Sequence, residues 1–493
     1  MRKSKYIILS ILMGIGLGAC NEDFLDTVPP ASVTPPTFWA NDSSATLAVN
    51  AIYNTINGWD HISFGSFGIK NIYSDDADKG SIPGDGVPMP EFDELNVLPS
   101  NIHVNGWWNS NFQGINRANQ VLENVPGMAS LDEMKRNRLL GEAHFFRAYF
   151  FFNLVRAFGD VPKVDRLLTP DEFNMARVPK AEIYKDIIIP DLKKAIEWLP
   201  EKSDYPTSQM GRITKGAARG MLAKAYLFTQ DNTNALKYAE DVISSPEYSL
   251  QSDYAMNFRS LVENGVESLF EVQCSNVFNG NDGHTITQLP RDAGSGRSWG
   301  WGFNVPSQSL LDEYETADPR KDATVITRGQ TLYDGVVVGL QAKNPFYNYK
   351  SYQPYENNDW NGSKNIVILR YADVLLMAAE AANETNNPTL AKQYLEEVRS
   401  RARKGNVSIL PEVTTTDKSE LRHAIWHERR VELAMEGHRT FDLMRMDDVE
   451  TGYAAAAYQK AGKTNWSNYK KLMPIPEIQI ELSKGVLKQN PGY

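Results

Sequence analysis

Apolar residues recur every three or four positions over most of this chain, the spacing that gathers them on one face of a helix. The period predicts helices over Ser43–Ile56, Trp107–Asn124, Leu131–Phe158, Ala181–Leu199, Thr214–Thr229, Ala235–Ser244, Tyr371–Asn383, Leu390–Arg403 and Ser419–Glu436. Stop signals fall at their ends. Gly159-Asp160-Val161-Pro162 closes one helix, Pro246 follows another, and Gly437 after Glu436 is expected at a C-cap.

The chain also resembles itself at an offset of 156 residues. Met221, Ala223, Ala225, Thr229, Thr233, Ala235, Tyr238, Glu240, Val242 and Ser244 recur as Met377, Ala379, Ala381, Thr385, Thr389, Ala391, Tyr394, Glu396, Val398 and Ser400. Both copies read as helix, short polar turn, helix, with small Ala residues allowing close packing and a Tyr filling the seam. The pattern resembles the tetratricopeptide hairpin, although its full consensus is not met. Between the copies lies a region of Gly, Asn and Ser turns, about residues 250–365, with strand-like runs at Val336–Val338 and Asn365–Leu369. The expected fold is therefore mainly α: tetratricopeptide-like helical hairpins forming a scaffold, with a long irregular insert carrying short strands. Such a long insert is more often functional than idle.

The N-terminus departs from this pattern. Arg2, Lys3 and Lys5 precede an apolar run from Tyr6 to Leu17, too short to cross a bilayer but suited to a signal peptide. It ends in Leu17-Gly18-Ala19-Cys20, which looks like the cleavage and acylation site of a bacterial lipoprotein. Residues 1–19 are expected to be a signal peptide and 20–42 a lipid-anchored segment, leaving 43–493 as a single helical domain. Acylated Cys20 would leave Cys274 without a disulfide partner, so Cys274 reads as a small hydrophobe beside Val272. Asn21-Glu22-Asp23 resembles an acidic surface-export tag.

Composition narrows the function. With 51 Lys+Arg against 61 Asp+Glu, the formal charge is −10, and losing residues 1–19 leaves −13. That balance argues against a nucleic-acid partner. The chain has no P-loop, G-x-G-x-x-G, G-x-S-x-G or H-E-x-x-H pattern, and no cofactor, metal site or catalytic residue is expected. His423 and His427 share a helix face, yet Glu428, Arg429, Arg430 and Glu432 beside them favour internal ion pairing. Asp75, Asp76 and Asp78 cluster, but Gly80 and Val87 fall where an EF-hand loop needs ligands.

The aromatic content, 11%, is high. Trp107, Trp108, Trp198 and Trp426 fall within or at the ends of predicted helices, and Trp39 and Trp466 read as packing anchors. Trp59, Trp299, Trp301 and Trp360 fall in loops, the last three in the insert with Tyr347, Tyr349, Tyr352 and Tyr355. The C–H face of a sugar stacks on an indole, and its hydroxyls need polar partners such as Asp75, Asp76, Asn358 and Asp359. In an extended chain Trp299 and Trp301 would project to one side about 7 Å apart. The expected ligand-binding set is Trp59, Asp75, Asp76, Trp299, Trp301, Tyr352 and Trp360.

Several longer motifs resemble the SusD/RagB family of outer-membrane lipoproteins. They are Gly141-Glu142-Ala143-His144-Phe145-Phe146-Arg147-Ala148-Tyr149, running on through Leu154 to Pro162, and Gly211-Arg212-Ile213-Thr214-Lys215-Gly216. Others are Arg370-Tyr371-Ala372-Asp373, Glu428-Arg429-Arg430-Val431-Glu432-Leu433, Gly437-His438-Arg439, Phe24-Leu25-Asp26 and the closing Asn490-Pro491-Gly492-Tyr493. The resemblance implies a noncatalytic, cell-surface protein of the outer membrane that captures oligosaccharides and delivers them to a TonB-dependent, SusC-like β-barrel transporter. It also implies that Glu142, Arg147, Glu428 and Arg430 form structural ion pairs. Peptide capture by the same architecture, a glycoside hydrolase and a protein-assembly scaffold are the alternatives.

Overall fold

The periodic segments become a stack of helices packed on one another in chain order, in a computed structural model that describes residues 38–39, 41–275, 282–292, 300–354 and 362–493. Helix Asp42–Ile56 lies on Ile102–Asn124, which lies on Glu133–Phe158, then Ile189–Trp198, Lys215–Phe228 and Asn232–Ile243. The stack continues through Tyr371–Glu384, which carries both Pro388–Arg403 and Lys418–Glu432. Short polar side chains set the starts. Asn41, Asn101, Asp132, Thr214, Asp231, Asn387 and Asp417 each accept a hydrogen bond from a first-turn amide, meeting donors the helix leaves open.

Glu133–Phe158 is the central element. Phe145, Phe146, Phe150, Phe151, Phe152 and Phe158 leave almost no surface exposed, so its second half is buried on most sides. Each buried ring contributes roughly 2–3 kcal/mol of transfer free energy. Gly114 of the neighbouring helix permits the close crossing, since a Cβ there would overlap the Phe150 ring.

The sequence repeat is a structural repeat. Helix pairs Lys215–Phe228/Asn232–Ile243 and Tyr371–Glu384/Pro388–Arg403 pack directly together. Gln230 and Asn386, equivalent under the offset, both turn the chain with positive φ, 60° and 62°. Asp231 and Asn387 then cap the second helices. Tyr394 donates to Glu240 across the seam at 3.0 Å, and Tyr238 stacks on Tyr226 at 5.7 Å. The offset also pairs two buried charges of opposite sign: Lys224, bound to Asp373 at 2.8 Å, and Glu380, bound by Arg445 at 2.5 and 2.9 Å.

The insert leaves and returns through one ladder. Ser268–Val272 pairs antiparallel with Ile366–Arg370, so its two ends lie side by side. Within it Val325–Thr327 pairs with Phe346–Asn348, and Phe303–Pro306 pairs back to Ala77–Gly80. Val336–Val338, expected as a strand, makes only an isolated bridge from Val337 to Thr331. Val338 instead joins a small local core with Ile326, Leu332, Tyr347 and Tyr349.

A buried ion-pair network locks insert to scaffold. Arg320 of the insert binds Asp318, Glu428 and Glu432, while Arg370 binds Glu267, Glu432 and Glu436. Burial pushes the Glu432 carboxyl up, and the guanidiniums of Arg401, Arg370 and Arg320 outweigh it and hold it well below the usual range. Arg429 reaches Asp373 and Asp442. Glu142 meets Arg138 and Arg212, and Arg147 clamps Asp191. The helix carrying Glu428–Glu432 stops at Glu432, four residues short of the expected end. Met435 (φ 64°) and Gly437 (φ 83°) turn the chain there, and Asn71 donates to the Met435 carbonyl at 3.4 Å.

Candidate functional site

Two of the four loop tryptophans come together. Trp59 opens a short helix, Trp59–Ile62, and Phe64 opens the next, Phe64–Phe67. Trp301 arrives from the insert, its amide donating to the Ile286 carbonyl at 2.9 Å. Gly302 (φ 72°) then bends the chain into strand Phe303–Pro306, and its carbonyl accepts from Ser81 N–H at 2.6 Å. The Trp59 and Trp301 ring centroids lie 6.0 Å apart, tilted by 55°. Phe64 stacks under Trp301 at 6.0 Å and 22°, and meets Trp59 edge-on at 5.9 Å. Gly283 sits against the Trp59 ring, where a Cβ would approach to 3.0 Å.

The three rings differ in exposure. Phe64 is buried, Trp301 half-buried, and Trp59 keeps 40% of its surface open. An exposed indole next to a second one is an aromatic platform, suited to an apolar ring face.

The acidic residues chosen for this site lie elsewhere. Asp75 is fully buried and clamped by Arg439 at 2.7 and 2.8 Å, with Arg430 at 3.0 Å. Asp76, also buried, takes Arg430 at 2.7 Å. Burial raises the Asp75 carboxyl, and the two guanidiniums more than cancel that and leave it below the usual range. Neither side chain has a surface to offer a sugar, so both are scaffold residues. Tyr352 is corrected likewise: it is 2% exposed, packs in the local core with Tyr347 and Tyr349, and donates to Asp334 at 2.7 Å. Trp299, Trp360, Tyr355, Asn358 and Asp359 lie outside the described residues, as do Cys20, Asn21-Glu22-Asp23 and Phe24-Leu25-Asp26.

Other expectations resolve plainly. Trp107, Trp108 and Trp426 are buried, and Trp39, Trp198 and Trp466 pack against the core. His423 pairs with Glu450 at 2.7 Å, while His427 bonds the Glu313 carbonyl at 2.9 Å. The Cys274 thiol donates to the Val272 carbonyl at 3.3 Å. Among the described residues no group of three or more His, Cys, Asp or Glu could hold a metal, and no helix is long and apolar enough to cross a membrane.

Tyr333, Phe173 and Tyr469 are exposed aromatics outside the expected set. Tyr333 keeps 43% of its surface and stacks on Tyr349 at 6.1 Å, with the Arg259 guanidinium 4.2 Å from its ring centroid. The Asp334-Gly335 turn that follows was the available signal.

A stack of helix hairpins with an irregular aromatic insert is a tetratricopeptide-like scaffold with one elaborated face. The chain is similar to the SusD family along most of its length. The SusD family model matches residues 266–493, and a related model, described as starch-binding and associating with the outer membrane, matches 23–227. SusD-like protein P2 of Formosa agariphila is 28% identical over 520 residues, covering 99% of this chain and all of that protein. A SusD-like protein of Bacteroides ovatus is 28% identical over 478 residues, covering 90% and 82% respectively. Among solved structures, a laminarin-binding SusD-like protein is 29% identical with a TM-score of 0.76, covering 92% of this chain and 100% of that one. Surface glycan-binding protein A of Bacteroides thetaiotaomicron, in complex with laminarihexaose, is 25% identical with a TM-score of 0.77 and the same coverage.

Proposed function

We propose that this protein captures oligosaccharides at the outer membrane and passes them, chemically unchanged, to a SusC-like TonB-dependent β-barrel transporter. The observation that carries the reading is the Trp59–Trp301 platform, two indoles 6.0 Å apart at the base of the insert. Stacking supplies orientation without chemistry. Asp75 and Asp76, both held by Arg430, are not placed to serve as acid and base for glycosidic cleavage. Similarity to a laminarin-binding protein and to one bound to laminarihexaose supports a glucan as the ligand class. Acylation at Cys20 would tether residues 43–493, as one helical domain, to the membrane by the segment 20–42. Trp299 and Trp360 are proposed as further stacking residues from their place in the insert sequence alone.

Calorimetry of the mature domain with laminarihexaose tests this. The expected result is micromolar or weaker binding with the sugar recovered intact. Shorter sugars from a homogeneous sample would establish a hydrolase, and competition by peptides but by no glycan would establish peptide capture.

A further inference from the structure

Beside the short helices that carry the aromatic platform lies a second, partly open feature with a different chemistry. A cavity of about 60 Å³ is walled by the short helices that carry Trp59 and Phe64, by strand Ile366–Arg370 and by the turn at Gly437. Water-sized groups need about 10–15 Å³ each on this measure, so the space holds roughly four to six of them. Its lining carries three lysines, Lys70, Lys350 and Lys364, and two neutral imidazoles, His61 and His284, against one carboxylate, Glu436. Glu436 is already taken, by Arg370 at 2.7 and 2.8 Å and Lys350 at 2.6 Å.

Among the described residues neither remaining ammonium, Lys70 or Lys364, has a carboxylate at ion-pair distance, and Glu263 and Glu271 act on Lys364 only from further off. Lys70 lies with Nζ 4.5 Å over the Trp107 ring, and among the described residues it makes no hydrogen bond or ion pair. Gly437 packs against its stem, where a Cβ would come within 3.1 Å, so the side chain is held in place. Lys364 is 6% exposed, and among the described residues its Nζ donates to the Asn365 carbonyl alone, at 3.4 Å. His284 feels both lysines. Burial pulls the Lys70 ammonium down to about 7, with Arg156 and Lys224 adding to it, and pulls Lys350 and Lys364 to about 8. Buried charge without a partner is costly, and an anion in the cavity removes the cost.

We propose that this cavity binds a small anion, of carboxylate, sulfate or phosphate size, held by Lys70 and Lys364. The anion is either a free ion or the acidic group of a larger ligand. The inference stands on the cavity alone and does not depend on the glycan reading.

The test is thermal melting of the mature protein with sodium acetate, sulfate or phosphate, ionic strength being held with a bulky organic anion. At a hundredfold excess over Kd the midpoint should rise by about 3 °C, saturably, for at least one of these anions. Lys70→Met and, independently, Lys364→Met should abolish that rise, while Lys193→Met on the surface should keep it. A galacturonic acid trisaccharide is run beside acetate. A Lys70-dependent rise with both marks a site open to acidic ligands, and one with the small anions alone marks a free-ion site. No saturable rise with any probe, or an undiminished rise in both Lys70→Met and Lys364→Met, overturns the proposal.

Discussion

Asp75 and Trp59 should respond to mutation in opposite ways, because one holds the scaffold and the other faces solvent. Asp75→Asn removes the charge that Arg439 grips through two bonds and Arg430 through a third. Breaking a buried ion pair from one side typically costs about 3–5 kcal/mol, since the surviving charges stay buried. The guanidiniums keep Asp76, which places the expected loss near the lower end, about 3 kcal/mol. Unfolding entropy of about 2.1 cal/mol/K per residue makes 1 kcal/mol worth about 1 °C in a chain of this length, so the melting midpoint should fall by about 3 °C. Glycan affinity should stay within twofold. Trp59→Ala, by contrast, removes a 40%-exposed ring whose contacts with Phe64 and Trp301 are worth about 1 kcal/mol. Its midpoint should fall by about 1 °C, while laminarihexaose affinity drops roughly tenfold or more, the usual scale for a Trp anchor. Paired calorimetry and melting on both variants decide the matter. If Asp75→Asn loses tenfold in affinity with an unchanged midpoint, the assignment of Asp75 to the scaffold is wrong.

Three further outcomes are expected. Gly114→Ala forces a methyl into the Phe150 ring and should lower the midpoint by about 1–3 °C, whereas Gly127→Ala, with nothing within 4 Å, should not; scanning calorimetry separates them. Arg320→Met leaves Asp318 without its ion pair, while Glu428 keeps Arg399 and Glu432 keeps Arg370 and Arg401, and should cost about 3 kcal/mol; Lys194→Ala, in a surface pair with Glu197, should cost under about 1 kcal/mol in denaturant titrations. Stability should also fall with mild acidification through four buried imidazoles. Burial lowers His103 to about 4, His284 and His438 to about 3, and His61 well below its ordinary value. The unfolded chain takes up these protons near pH 6.5 and the folded chain does not, so folding weakens from pH 6.5 to 5 by up to about 2 kcal/mol per imidazole. A midpoint that is flat across that window would refute the buried-neutral assignment.

The helices were legible because each needed only its own period and caps: Asn41, Asp132 and Asp417 mark starts that the pattern alone places within a few residues. The repeat was legible for the same reason, down to the turn at Gln230 and Asn386. What failed depended on partners far along the chain. Asp75 and Asp76 read as ligand partners because Arg430 and Arg439 lie some 350 residues away. Tyr352 looked available because the small core that swallows it is assembled from pieces between Val305 and Tyr352. Helix Arg439–Val449 was missed because nine of its eleven residues are buried, including Arg439, Asp442 and Arg445, and charged residues in a core erase the one-faced pattern. Of the site, Trp59 and Trp301 were picked by exclusion from the helices, but their meeting joins a loop before the first long hairpin to the far insert. No local spacing encodes that.

The opposite charges at equivalent places in the two hairpins have a consequence for assembly. Two segments with ten identities in 24 positions are similar enough to compete for each other's place as the chain collapses. Lys224 and Glu380 make the exchange self-defeating. Seated in the second hairpin's place, Lys224 would confront Arg445 and set like charges together away from water, while Arg445 would lose Glu380, its partner there. A duplicated unit has thereby acquired an address, written in one buried residue per copy, that tells each hairpin which neighbour is its own.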